Sequence, residues 1–274
     1  HFIRLMIVGI AIAVLAGCLC VSVFVSCSRQ QRINGSVRVG VLSLLDNRQN
    51  VIKASDGAEL ISFQSLNEML LGLKAGKVDF ITLPASVSFY ITGKHPELAE
   101  DAVHAKKYSV RFSFGVPVTD TPLMTRLNSA VYSLKQDGTV EKLYNRFVSD
   151  SAETQPIPET LPVIPDADTV RIVVTGDLPP LDYVSEDGIP AGFNTAFLSE
   201  LSKRAKLNIK LVQSDAASRA AMLASGRADA VFWVRQIISY DTNRNVIIIH
   251  DEKTDGIVLT DYYLEDKIIP VKKR

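Results

Sequence analysis

One pattern occurs twice in this chain, and it constrains the fold more than any other feature. Leu73-Lys74-Ala75-Gly76-Lys77-Val78-Asp79-Phe80-Ile81 and Leu223-Ala224-Ser225-Gly226-Arg227-Ala228-Asp229-Ala230-Val231 share one form: Leu, any residue, small, Gly, basic, any residue, Asp, any residue, β-branched. Each copy reads as the last turn of a helix, a glycine stop and a buried strand. Gly226 can take the left-handed backbone that ends a helix, because it has no Cβ to clash. Ala228 to Trp233 is a short apolar run, as a strand covered on both faces shows. Such a unit lays a helix on a sheet and aims the strand's end at a crevice. Two of them predict two similar α/β lobes facing one another. The plainer reading is a helix-to-strand turn used twice.

Before the first copy, Arg4 is the one full charge ahead of an apolar run from Leu5 to Val25. That run is long enough to cross a bilayer and reads as an export signal. Cys18, Cys20 and Cys27 all lie in or at its end, and no cysteine follows. No disulfide can therefore staple the folded part. Leu15-Ala16-Gly17-Cys18 and Phe24-Val25-Ser26-Cys27 both offer a cysteine after small residues. Cys27 ends the apolar run and is the expected lipidation site. Cys18 is the alternative, and an uncleaved membrane helix is the third reading. Each places the rest of the chain outside the cytoplasmic membrane and attached to it, and several acyl chains suffice for stable anchoring. His1 rather than Met stands first, which fits a chain missing a few starting residues.

The residues after Cys27 leave room for one bilobal domain with a sizeable core. The chain has 30 basic and 30 acidic residues, intermixed. That balance gives no footprint for nucleic acid.

Val37, Val39 and Val41 alternate, so residues 36–45 read as a strand. Ser65 and Glu68 make a capping box for a helix that buries Leu66, Met69, Leu70 and Leu73. Strands are expected at 78–83 and 109–118, with a short helix at 87–91 between them. Residues 122–134 form an amphipathic helix on Leu123, Leu127, Ala130, Val131 and Leu134, and a second helix carries Val140, Leu143, Tyr144 and Phe147. Residues 149–168 hold Pro156, Pro158, Pro162 and Pro165 among polar residues and read as a linker. Val170, Ile172 and Val174 then mark a strand, Gly176 to Tyr183 a loop, and Asp187-Gly188 a turn. Asn194 is placed as the cap of a helix burying Phe197, Leu198, Leu201 and Ala205. A strand at 209–212, a helix at 216–224 and a strand at 228–233 complete a parallel unit.

Val173 to Tyr183, Asp187-Gly188, Gly192-Phe193-Asn194, Leu223 to Trp233 and Gly256 to Tyr263 resemble the first lobe of family 3 extracellular solute-binding proteins. Ile61 to Tyr90 is similar to that family's second lobe, and Lys135 to Tyr144 to its closing helices. The resemblance implies an α/β, two-lobed periplasmic-binding-protein fold of type II, in a permuted order. Residues 37–118 would form the second-lobe-like part, 119–148 the closing helices and 149–168 a join of the old termini. Residues 169–274 would form the first-lobe-like part with its crossover strand, after an export signal and anchor at 1–27. Circular permutation is tolerated where termini are close and exposed. Two unrelated half-modules needing partner chains are the rival arrangement.

The resemblance further implies a monomer that closes on a small polar solute, an amino acid or a relative, and docks on an ABC-type permease. Ligands of open α/β sheets sit beyond the strands' C-terminal ends. Tyr183 there offers a ring with a polar tip. Asp177 and Asp182 can accept from an ammonium or cap turns. Arg235, with Arg244 as competitor, can grip a carboxylate. Trp233, Asn194, Ser65 and Pro84 complete the candidate set, with core packing the plainer role for Trp233. Leu181 stands where relatives often place an aromatic residue, Asn194 where an aspartate is common, and Pro84 where amino-acid binders often hold the ammonium with an aspartate.

A sensor domain for a membrane signalling partner is a second class of function, and an enzyme on the same fold, dehydratase-like, a third. No cofactor or metal is expected, since His95, His104 and His250 lack paired-ligand spacing. No nucleophile motif is present after the apolar segment.

Overall fold

A computed structural model describes residues 36–42, 51–53, 58–101, 108–149, 159–215, 218–251 and 255–274. The apolar segment with its cysteines lies outside the described residues, as do residues 150–158 of the expected linker. In chain order the elements are β1 (Arg38–Leu42), β2 (Val51–Lys53), β3 (Glu59–Phe63), α1 (Leu66–Lys74), β4 (Phe80–Pro84), α2 (Ala85–Lys94), β5 (Leu98–Glu100) and β6 (Ser109–Pro117). Then come α3 (Thr121–Gln136), α4 (Thr139–Tyr144), β7 (Thr169–Val174), β8 (Asp177–Leu178), β9 (Asp182–Val184), β10 (Pro190–Ala191), α5 (Phe193–Ala205) and β11 (Asn208–Gln213). Last are α6 (Arg219–Ala224), β12 (Ala230–Tyr240), β13 (Val246–Asp251), β14 (Ile257–Leu259) and β15 (Leu264–Lys273).

The fold is α/β, built on one curled sheet whose main path runs β11-β7-β12-β6-β15-β4-β1-β3-β2. It has two parallel blocks. In the early half β1 pairs parallel with β3 and β4. In the late half β7 pairs parallel with β11 and β12. Between them lie β6 and β15, antiparallel to each other. β15 changes partner along its length: Leu264–Lys267 pair with β6, and Ile268–Val271 pair with β4. This strand therefore runs unbroken from one half into the other. β6, grouped with the early lobe on sequence grounds, pairs with β12 and β14 of the late half.

The repeated pattern has a repeated structure. Gly76 and Gly226 both take positive φ, 73° and 68°. Asp79 accepts from the backbone N–H and the guanidinium of Arg38. Asp229 accepts from the same groups of Arg171. In each copy the aspartate N–H returns to the arginine carbonyl at 2.9 Å. One side chain thus ties the strand that follows the helix to its parallel neighbour, once in each half.

Helix α3 buries Leu123, Leu127, Ala130, Val131 and Leu134, the set its spacing predicts. Helices α3 and α4 follow the early half in sequence, yet they pack against α5 of the late half. Arg204 of α5 bonds Ser133 and Asp137, and Arg126 of α3 bonds Asp168 and the carbonyls of Ala205 and Lys206. Beneath β12 and α5 lies an aromatic core. The Phe232 and Tyr263 rings stack 4.6 Å apart, and Phe197 stacks on Tyr263 at 4.9 Å. Each such ring, fully buried, contributes roughly 1.5–3 kcal/mol.

Candidate functional site

The C-terminal ends of the parallel strands, where open α/β sheets receive ligands, mark the crevice expected between the halves. On the early side β1 ends at Leu42, β3 at Phe63 and β4 at Pro84. Ser65 caps α1: its hydroxyl accepts from the Glu68 N–H at 3.1 Å. The Glu68 carboxylate reaches back to the N–H of Gln64, one residue before the cap, at 3.2 Å. Pro84 closes β4 and stands at the start of α2 without a side-chain cap bond.

On the late side the expected Gly176–Tyr183 loop is in part a small sheet, with β9 between β8 and β10. Asp177 lies on β8, half-buried and opposite Tyr183 of β9, and α1 lies against β8. Tyr183 is half-buried, and burial and then Tyr90 raise its pKa, while Lys94 acts against them. Tyr183 is thus within electrostatic range of Tyr90 and Lys94 of α2. Lys94 places its ammonium 4.6 Å from the centre of the Tyr90 ring. The sequence reading missed Tyr90 and Lys94. Their four-residue spacing on a helix that starts at the crevice is the signal that could have found them.

Arg235 does not follow a strand, as expected, but lies inside one. β12 continues to Tyr240 because antiparallel β6 pairs with it from Val231 onward and β13 joins it from Gln236, after the parallel pairing with β7 has ended at Val231. The pairing with β6 shifts register between Val231 and Val234, a bulge of the kind that re-aims side chains. Trp233 sits in that bulge with φ of 60°. Beyond it, Arg235 Nη2 donates to the Leu42 carbonyl at 2.6 Å, at the end of β1. Arg244 stands elsewhere, exposed in the turn between β12 and β13 with φ of 64°.

Three candidates form a buried knot behind the crevice. Asp182, 2% exposed, accepts from Asn194 Nδ2 at 2.9 Å, the Gly176 N–H at 3.0 Å and Trp233 Nε1 at 3.1 Å. Burial raises the Asp182 pKa, and the bonds from Asn194, Gly176 and Trp233 pull against it. The Trp233 N–H in turn donates to the Tyr263 hydroxyl at 3.1 Å. Asn194 is not the cap of α5: Gly192 is, with φ of 101°. A Cβ on Gly192 would meet the Pro180 carbonyl oxygen at 2.5 Å, so only glycine fits there. The chain comes so close that Asn194 falls inside the helix, facing Asp182. Leu181 is fully buried and forms no wall of the crevice. Outside the knot, the candidates that remain are the Arg235 guanidinium, the Tyr183 phenol, the Ser65 hydroxyl and the Asp177 carboxylate. Among the described residues no group of three or more metal-ligating side chains converges, and no helix is long and apolar enough to cross a membrane.

Residues 170–236 match the family model of bacterial extracellular solute-binding proteins, family 3. That stretch runs from β7 to Gln236 and includes the knot, Tyr183 and Arg235. No curated protein matches the chain. Among solved structures it is similar to the GluR0 ligand-binding core in complex with L-glutamate. There identity is 11%, coverage 88% of this chain and 86% of that one, and the TM-score 0.38. It is also similar to the ancestral amino acid-binding protein AncCDT-1, a precursor of cyclohexadienyl dehydratase. Identity is 13%, coverage 88% and 82%, and the TM-score 0.37. A third is the periplasmic domain of BvgS from B. pertussis, with 14% identity, coverage of 88% and 37%, and a TM-score of 0.34.

Proposed function

We propose that this chain, whose residues 170–236 match the family 3 solute-binding proteins, captures a small polar solute between its two halves and delivers it to an ABC-type permease. It would act as a monomer outside the cytoplasmic membrane, anchored through a lipid on Cys27. The observation that carries the reading is the position of Arg235. Its guanidinium lies where the late half meets the C-terminal end of β1, and such ends are where open α/β sheets receive ligands. A solute carboxylate can take two parallel bonds from that group. Tyr183 would supply a ring, Ser65 a hydroxyl and Asp177 an acceptor for a ligand ammonium. Asp182, Asn194 and Trp233 satisfy one another, and their role would be to hold the β8–β9 segment and the β12 bulge in place.

The chain order supports circular permutation as part of this reading. The closing helices precede the half they cover, and residues 149–168 would join the old termini. Thermal-shift screening against amino acids, small peptides, amines and organic acids tests the proposal. A saturable rise in melting temperature with one of these classes supports it. Flat responses across all four would sink it.

A further inference from the structure

Asp266 lies on β15 opposite Val110 of β6, two residues before Ile268 pairs with Pro84 of β4. It is therefore on the late side of the point where β15 changes halves. Its carboxylate reaches across. Oδ2 accepts from the N–H of Ser86 at 3.0 Å and from the Ser86 hydroxyl at 2.7 Å. Ser86 stands in the first turn of α2, a helix of ten residues in the early half. Oδ1 accepts from the Lys267 N–H at 2.8 Å. Asp266 is 8% exposed and Ser86 3%. Ser86 thus gives both its N–H and its hydroxyl to one carboxylate oxygen. The late half holds the first turn of α2 through its crossing strand. The chain's own carboxylate sits at the positive end of that helix, where first-turn N–H groups lack helical partners.

We propose that Asp266 and Ser86 form an internal latch that sets the angle between the two halves. Two bodies joined by packed strands move by bending at a few residues where the strand changes company. In β15 that point is Lys267–Ile268, so rotation there draws Ser86 away from Asp266. Opening would leave a buried carboxylate short of two donors. The latch therefore resists rotation without involving the crevice residues Arg235, Tyr183 and Ser65.

Distances between spin labels on the full chain test this. Labels carried by non-natural residues at exposed Phe89 of α2 and exposed Tyr132 of α3 report the angle between halves and leave the cysteines untouched. Asp266→Ala and Ser86→Ala are expected to shift the distribution to longer distances. Asp266→Asn, which keeps an acceptor oxygen for Ser86, is expected to retain the wild-type distribution. A wild-type distribution in Ser86→Ala overturns the latch, as does a shift in Asp266→Asn equal to that in Asp266→Ala. If Asp266→Ala fails to fold, Ser86→Ala decides alone, because it removes a single hydroxyl.

Discussion

The indole nitrogen of Trp233 lies 3.1 Å from a carboxylate oxygen of Asp182, which is 51 residues away in sequence. Both side chains are buried. The bond fixes a residue that would otherwise resist its own backbone, since a non-glycine residue at φ of 60° costs about 1–3 kcal/mol. The neighbouring rings of Phe112, Phe232 and Tyr263 hold the same indole. Asp182→Ala strands two buried donors, Asn194 Nδ2 and Trp233 Nε1, and the half-buried Gly176 N–H, and each buried one costs about 1–3 kcal/mol when unpaired. The expected loss of stability in urea is therefore about 3 kcal/mol or more. Trp233→Phe keeps a ring but removes one donor, and about 1–2 kcal/mol is expected. An Asp182→Ala variant within about 1 kcal/mol of wild type would show that the knot is not a structural centre.

The knot also shows why the site was only partly legible in the sequence. Val170, Ile172 and Val174, the capping box at Ser65 and the apolar face of α3 follow from period and local chemistry, and they stand where expected. Burial of Asp182 does not follow from local chemistry. It needs Asn194 and Trp233 to arrive from 12 and 51 residues away, which no local spacing encodes. The strand beyond Trp233 was missed for a related reason. Its pairing with β6 and β13 is long-range, and the apolar–polar alternation of Gln236 to Tyr240 is weak. The Asp of the repeated pattern could be read, but its partners Arg38 and Arg171 lie 41 and 58 residues away.

Those two clamps make a quantitative expectation. Each pairs an arginine at the surface with an aspartate and adds a backbone N–H bond, so each stabilises its half through the backbone bond more than through the solvent-screened ion pair. Asp79→Ala and Asp229→Ala are expected to destabilise by similar amounts. The double variant is expected to add within about 0.5 kcal/mol, because the sites share no partner. A cost confined to one half, measured by denaturant unfolding, would mean that the likeness of the two turns is not functional.

Asp137 predicts an acid limb. Hydrogen bonds from Thr139, then from Arg204, hold its pKa down at about 2, against an ordinary value of 3.8. A lowered folded value means the group contributes stability above 3.8, and that contribution is lost as pH falls through about 2. Arg204 ties α5 to the end of α3, so the loss loosens the closing helices. Melting temperature followed down through this range is expected to fall less steeply in Thr139→Ala and in Arg204→Ala than in wild type. Equal slopes in all three would remove Asp137 as the source.

Arg235 decides the placement of the solute. A charge-assisted hydrogen bond contributes roughly 1.5–3 kcal/mol, so Arg235→Ala is expected to weaken binding of an anionic solute by about ten- to a hundredfold. The same variant loses the bond to the Leu42 carbonyl, a cost near 1 kcal/mol to the unliganded protein, so its melting temperature falls only slightly. Tyr183→Ala removes a half-buried ring and is expected to weaken binding less. Arg244, in the exposed turn of the β12–β13 hairpin, is expected to be neutral when changed to Ala. Titration calorimetry with the solute found by thermal shift separates these outcomes. Wild-type affinity in Arg235→Ala with lost affinity in Arg244→Ala would move the anionic contact to the hairpin. Wild-type affinity in Arg235→Ala, Tyr183→Ala and Arg244→Ala would place the solute outside the crevice altogether.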